Sequence, residues 1–365
     1  MKERFDFIDS LRGLAICSVF VNHSHSILKG NSGSFLDTLL SSGHYGVQLF
    51  FVISAFTIFL TYHKSKDVEK SPIRVFFVKR LFRIVPLYWF GIILYSLVYG
   101  LGSRGWLPGP ELWHLPIHVF LMNDLHPLTQ SSVVPGGWSI SCEVLFYLSI
   151  PVLVYFVNSR VKALLLIVFS ILLAPHLIGI LKNYFDANFH AYPAILLNLY
   201  WYRSLLNQLP IFGFGILFYY IYITKMFRKG KLISAVFGVM SLAVILISLF
   251  YYRIPMSPHY FISFGFLLLA ICLSMHSWQI VENKFFRFIG QISYSAYLIH
   301  ALVINQVYKF LIDLELSNLH LLFALIFISF SITIPLSYLL YQFVEKPCIN
   351  AGRTFNMYLN KKYSL

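Results

Sequence analysis

Ten apolar runs, near 8–29, 44–63, 84–101, 138–157, 162–181, 205–223, 232–251, 259–276, 290–312 and 320–343, recur along this chain of 365 residues. Each is close to the roughly 20 residues that carry an α-helix across a bilayer. A water-soluble fold has no place for them. Charged residues make up 12% of the chain and hydrophobic residues 58%, against about 25% charged in an ordinary soluble domain, so too few charges remain to build a wetted surface. The expected fold class is all-α: a polytopic membrane helix bundle of about ten transmembrane helices, with both termini cytoplasmic. Residues 1–347 are expected to form one transmembrane domain and 348–365 a short cytoplasmic tail. The first run contains Arg12, Asn22 and His23, has no small-residue cleavage site and precedes many further spans, so it is expected to remain as helix 1.

The formal charge of +14 raises the question of a nucleic-acid partner, and its distribution answers it. With the N-terminus cytoplasmic, 22 Lys and Arg residues fall on the inner side, including Lys2, Arg4, Arg12 and a dense group from Lys64 to Arg83. The outer side receives five, Lys29, Arg104, Lys182, Arg203 and Arg253, with Lys309 near a helix end. That division is the positive-inside pattern of a multi-pass protein of the cell's inner (cytoplasmic) membrane. The basic excess therefore reports topology, and no nucleic-acid partner is expected. Cys17, Cys142, Cys272 and Cys348 lie far apart in mostly apolar segments, which suits packing and neither a disulfide framework nor a metal site.

Three connections stand out. Segment 102–137 is the longest irregular stretch, carries Trp106, Pro108, Trp113, His114 and His118, and is placed outside; its apolar 114–122 portion is too short to cross and reads as re-entrant or interfacial. The aromatic-rich 182–204 is a second outer loop. The basic 64–83, with apolar residues between its charges, reads as an amphipathic helix lying along the inner interface.

Ionisable residues inside spans are costly and so are the candidates for chemistry. Arg12 and His23 are eleven positions apart, about three helical turns, which puts them on one stripe of helix 1 roughly 16 Å apart. A neutral imidazole in a dry cavity can take a proton from a hydroxyl; the competing reading of His23 is a packing histidine. Arg80 and Arg83 share a helix face, and two guanidinium forks at that spacing can hold phosphate oxygens; alternatively they serve topology and anionic lipid. Glu143, with Ser139 and Tyr147 four residues to either side, can orient a catalytic imidazole or bind an acceptor hydroxyl, or simply pair with an arginine or amide between helices. Ser293, Tyr297 and His300 form a polar stripe read as a structural network. Asp9 is read as a helix N-cap or the ion-pair partner of Arg12, and Glu345 as a structural residue of the inner surface.

Taken together, these segments resemble the acyltransferase 3 family of membrane enzymes. The resemblance rests on Ile8-Asp9-Ser10-Leu11-Arg12-Gly13-Leu14-Ala15 leading to His23, Gly46 to Ser54, Arg80-Leu-Phe-Arg83-Ile-Val-Pro86-Leu-Tyr88-Trp89, Trp138-Ser139-Ile-Ser-Cys-Glu143 to Tyr147, Ile292 to His300, and Phe343-Val-Glu345-Lys-Pro347. Gln48 and Ala55 depart from the usual acidic residue and glycine. The resemblance implies transfer of an acyl group, acetyl first, from acyl-CoA to a hydroxyl of a glycan or related acceptor. It implies His23 as general base and Arg12, Arg80 and Arg83 as coenzyme-binding residues, with acetyl-CoA as donor and no metal. Some members carry a fused extracytoplasmic domain; this sequence shows none, so the expectation is action alone or with a separate periplasmic transferase partner. A proton-coupled secondary transporter is the rival, since His, Glu and Arg within spans also build proton relays, but no internal symmetry of halves is visible. A non-catalytic scaffold for a glycan-synthesis complex is the third reading.

Overall fold

The computed structural model describes residues 5–28, 34–102, 109–188, 194–227, 230–251, 257–314 and 316–362. Lys2, Arg4, Lys29, Arg104, Trp106, Pro108, Arg228, Lys229 and Arg253 lie outside them.

All regular structure among the described residues is helical, and the helices are α1 (Asp6–Ser26), α2 (Phe35–Ser41), α3 (Gly46–Lys66), α4 (Pro72–Tyr99), α5 (His114–Val119) and α6 (Gly137–Phe156). They continue with α7 (Arg160–Asn188), α8 (Ala194–Arg203), α9 (Leu205–Ile223), α10 (Lys231–Phe250) and α11 (Pro258–Met275). The last four are α12 (Lys284–Gln291), α13 (Ser293–Leu311), α14 (Asn318–Leu340) and α15 (Lys346–Lys362), with a π-helical turn at Tyr341–Glu345 before α15. Among the described residues nine helical segments are long and apolar enough to cross a membrane. Helix α1 has the length, at 21 residues, but its Asp6, Asp9, Arg12, Asn22, His23 and His25 lower its hydropathy below that mark. This is an all-α polytopic membrane protein.

Two connections differ from their sequence reading. The basic 64–83 stretch is not a separate interfacial helix: α3 runs on to Lys66, and α4 starts at Pro72 and continues to Tyr99 without a break. Proline is tolerated at the first helical position because its missing N–H has no partner to lose there, so the helix that carries Arg80 and Arg83 begins within the basic segment. Segment 182–204 is largely helical, divided between the end of α7 and α8. Residues 348–362 are also helical, within α15.

The chain divides into two compact units, Met1–Thr57 with Phe218–Pro347 and Ile58–Leu217 with Cys348–Leu365. In the first unit α1 is the central element. Close approach is set by glycine: a Cβ on Gly290 would lie 1.7 Å from the Asp9 carbonyl oxygen, and one on Gly13 would lie 2.1 Å from that of Phe286. Helices α1 and α12 therefore touch backbone to backbone, the small-residue contact that replaces hydrophobic driving force inside lipid. An Arg287–Asp6 ion pair joins the same two helices. Phe20 packs with Val303, Val307, Leu311, Leu321 and Leu325 of α13 and α14. Helix α10 turns Ser234, Ser241 and Ser248, seven residues apart, inward. Ser241 Oγ donates to the Gly265 carbonyl of α11 at 2.7 Å and Ser234 Oγ to that of Cys272 at 2.8 Å, while Leu232, Val236, Val239 and Leu242 stay exposed, as a lipid-facing surface requires.

In the second unit Phe146 of α6 stacks on Phe212 of α9 with ring centroids 4.0 Å apart. Segment 109–136 is pinned to the helices by buried hydrogen bonds. The Tyr88 hydroxyl of α4 lies 2.9 Å from His118 Nδ1, whose other nitrogen donates to the Thr129 carbonyl at 2.6 Å. Ser141 Oγ donates to the Leu121 carbonyl at 2.7 Å. Gly136, at φ 77°, makes the left-handed turn that starts α6. Helix α15 lies against α4, where a Cβ on Gly352 would meet Phe82 Cβ at 2.7 Å.

Candidate active site

In the first unit Arg12 and His23 lie along α1, and each is held differently. Arg12 pairs with Asp9 at 3.5 Å, one turn earlier on the same helix. This selects the ion-pair reading of Asp9; the helix N-cap is Phe5. His23 is half-buried, and its ring stacks on that of His300, on α13, with centroids 4.9 Å apart and 14° between planes. His23 Nδ1 lies 2.8 Å from His300 Nε2. His300 is fully buried, and its Nδ1 sits 2.7 Å from the backbone carbonyl of Tyr297.

That chain of contacts assigns the tautomers. A carbonyl only accepts, so His300 Nδ1 carries a proton; in the neutral ring Nε2 is then a bare acceptor, and the proton between the two histidines belongs to His23 Nδ1. The remaining lone pair of neutral His23 is on Nε2. An imidazole whose Nδ1–H is engaged and whose Nε2 is basic is the arrangement that general-base catalysis uses, with His300 in the orienting position that a carboxylate fills in serine hydrolases. His300, read from the sequence as a structural group, is thus the partner of the candidate base. The signal was its three-residue spacing from Tyr297, which fits a side-chain bond back to that carbonyl.

Near the start of α13, Ser295 Oγ donates to Glu345 Oε2 at 2.9 Å. Glu345 is 4% exposed and stands in the π-helical turn. It is a buried carboxylate, not the surface residue expected.

In the second unit the structure brings Arg80 and Glu143 together through Tyr147. The Tyr147 hydroxyl donates to Glu143 Oε1 at 2.5 Å, and the Arg80 guanidinium lies over the same ring, 5.3 Å from its centroid and 5.8 Å from that of Phe76. Contact with an aromatic face keeps an arginine weakly hydrated. Arg83, one turn further along α4, is half-buried.

A further buried carboxyl, Asp124, lies in segment 109–136. It accepts from Gln130 Nε2 at 2.6 Å. Burial pushes its pKa well above the ordinary carboxylate value of 3.8, against the opposing pull of the Gln130 hydrogen bond and the Arg203 charge. No group of three His, Cys, Asp or Glu among the described residues is placed to hold a metal ion.

The model of a family described as an acyltransferase domain matches residues 5–342. The chain belongs to the acyltransferase 3 family. Among curated members similar to it are the acyltransferase MdmB of Streptomyces mycarofaciens, 25% identical over 64% of this chain and 61% of that protein, and a putative O-acetyltransferase of Staphylococcus aureus (strain COL), 23% identical over 94% of this chain and 57% of that protein. A putative acetyltransferase of Acidianus two-tailed virus is 27% identical over 83% of this chain and 84% of that protein. The chain thus spans about 60% of the length of the first two relatives. No solved structure matches. Within this acyltransferase family the present chain is a multi-pass membrane member.

Proposed function

We propose that this acyltransferase moves an acyl group, acetyl in the simplest case, from acyl-CoA to a hydroxyl of a carbohydrate or glycan acceptor at the inner membrane, with His23 as general base. The observation that carries the reading is the engagement of His23 Nδ1 by His300 Nε2 at 2.8 Å. In the reaction His23 Nε2 takes the acceptor's hydroxyl proton as the oxygen attacks the thioester carbonyl. The carbon–sulfur bond breaks, and the coenzyme leaves as a thiol after the proton returns from the imidazolium. While the ring is charged, His300 Nε2 accepts its Nδ1–H and, through the Tyr297 carbonyl, holds the ring's plane.

Arg80 and Arg83 bind phosphate oxygens of the coenzyme in this reading, and Arg12 is assigned to coenzyme binding as well. The stacking of Arg80 on Tyr147 supports a guanidinium presented to an anion. Glu143, hydrogen-bonded by Tyr147, is assigned to the acceptor hydroxyl or to charge stabilisation of an imidazolium. The family and the names of the relatives support acyl or acetyl transfer; the acyl-CoA donor, the glycan acceptor and a separate periplasmic partner go beyond them.

The test supplies labelled acetyl-CoA and mixed bacterial glycans to the purified protein in liposomes, comparing wild type with His23→Ala. Glycan-dependent transfer of label that disappears in the variant is the expected result. Equal transfer by both proteins would remove His23 from the chemistry. A folded protein that neither binds nor turns over acetyl-CoA would overturn the donor assignment.

A further inference from the structure

The first unit contains two adjoining cavities that the reaction above does not use. The first, about 380 Å³, is lined mainly by apolar side chains, among them Leu14, Val21, Leu49, Ile245, Ile262 and Phe266. The second, about 340 Å³, is lined by Thr38, Ser41, Ser42, His44, Tyr45 and Ser248 among others. They share Ser42, Tyr45 and Leu249, so an apolar compartment continues into a polar one. Each has the volume of a small-molecule site.

On α1 the first cavity is reached by Leu14, Cys17, Ser18 and Val21. At 100° per residue these form one stripe, and Arg12 and His23 form another on the opposite side of the helix. The site is thus distinct from the proposed base and independent of it.

The polar compartment specifies what it accepts. The hydroxyl protons of Thr38, Ser41, Ser42 and Ser248 go to the carbonyls of Ser34, Thr38, Leu39 and Val244, at 3.2, 3.1, 2.7 and 2.6 Å. His44 Nδ1 lies 2.7 Å from the Ser41 carbonyl, so its proton is committed too. The rim is therefore rich in oxygen lone pairs, and among the described residues neither cavity is lined by Lys or Arg. Phosphate oxygens would face the Ser and Thr acceptors, whereas a group bearing O–H donors would be satisfied by them.

We propose that the two cavities form one binding site for an uncharged lipid of the surrounding bilayer, its chain in the apolar compartment and its hydroxylated head against the acceptor rim.

The probe is a monoacylglycerol with a photoreactive diazirine in its chain, incorporated with the full chain into phosphatidylcholine nanodiscs. The crosslinked peptides are then mapped by mass spectrometry. Label is expected to concentrate on residues 14–21 and 245–249, to be competed by unlabelled monoolein, and to resist the same concentration of oleoyl phosphatidylglycerol. Cys17→Phe, which fills the apolar compartment, is expected to lower labelling at least tenfold with thermal melting unchanged. If that variant does not fold, Ser41→Ala combined with Ser42→Ala, which removes two acceptors without adding bulk, is expected to weaken monoolein competition several-fold. Label spread evenly over the lipid-facing helices, equal competition by phosphatidylglycerol, or no response to the variant that folds would each overturn the proposal.

Discussion

His23 and His300 are 277 residues apart in the chain and 2.8 Å apart in space, Nδ1 to Nε2. Because the Tyr297 carbonyl fixes the proton of His300 on Nδ1, the contact has a direction: His23 donates and His300 accepts. One buried backbone carbonyl thereby decides which nitrogen of His23 is basic.

Removing His23 as Ala is expected to lower transferase turnover by about 10²–10⁴-fold, the usual worth of a positioned general base. His300 acts through His23, so His300→Leu is expected to reduce kcat with KM little changed and to shift the pH–rate profile. His300→Gln, whose side-chain oxygen can still accept the Nδ1–H, is expected to retain more activity than the Leu variant. Equal losses in the Gln and Leu variants, with an unshifted profile, would reduce His300 to a packing residue.

Arg80→Ala and Arg83→Ala are each expected to weaken acyl-CoA binding by about 1.5–3 kcal/mol, the range of a hydrogen bond to a charged group, or about 10- to 150-fold in Kd. Isothermal titration at two salt concentrations checks this. Removal of an arginine that holds phosphate also flattens the salt dependence, because exposed charge pairs are screened.

Tyr147→Phe deletes the donor to Glu143 Oε1 and leaves the ring beneath Arg80 in place. The expected cost is about 0.5–2 kcal/mol, between the average of about 0.6 kcal/mol for hydrogen bonds within membrane bundles and the value of a bond to a charged group. Thermal unfolding in one fixed detergent reads it. A greater loss of acyl-CoA binding than of stability would show that Tyr147 also positions Arg80.

The raised pKa of Asp124 makes the folded protein bind a proton more tightly than the unfolded chain. Its contribution is fully present below the unfolded value of 3.8 and is lost as pH rises through the folded pKa. Stability is therefore expected to fall with rising pH across that window. Asp124→Asn, which keeps an acceptor for Gln130, is expected to flatten the dependence; hydrogen exchange of 114–136 against pH measures it.

Gly290→Val is expected to destabilise the protein by at least about 1–3 kcal/mol, the usual cost of overpacking, because a Cβ there falls 1.7 Å from a backbone oxygen that cannot rotate away. The thermal midpoint in detergent and the yield of monodisperse protein check it.

The sequence by itself determined the solvent, the fold class and most of the element boundaries. Runs near 20 residues and a deficit of charge leave a membrane helix bundle as the one way to satisfy every backbone N–H and C=O. It also exposed Arg12, His23, Arg80, Arg83 and Glu143 as candidates, because ionisable groups are conspicuous where burial is expensive. The continuity of α4 from Pro72 was not legible: basic residues among apolar ones suit an interfacial helix and the first turns of a spanning one equally. Nor was the helicity of 182–188, 194–203 and 348–362, where aromatic and charged residues hide an apolar face. Only the tertiary structure decided the partners of the candidate residues. Spacing within one helix showed that Tyr147 can reach Glu143, but the His23–His300 contact depends on how α1 and α13 meet. That meeting is set by glycine contacts and side-chain packing at residues far apart in the chain, and no local pattern encodes it.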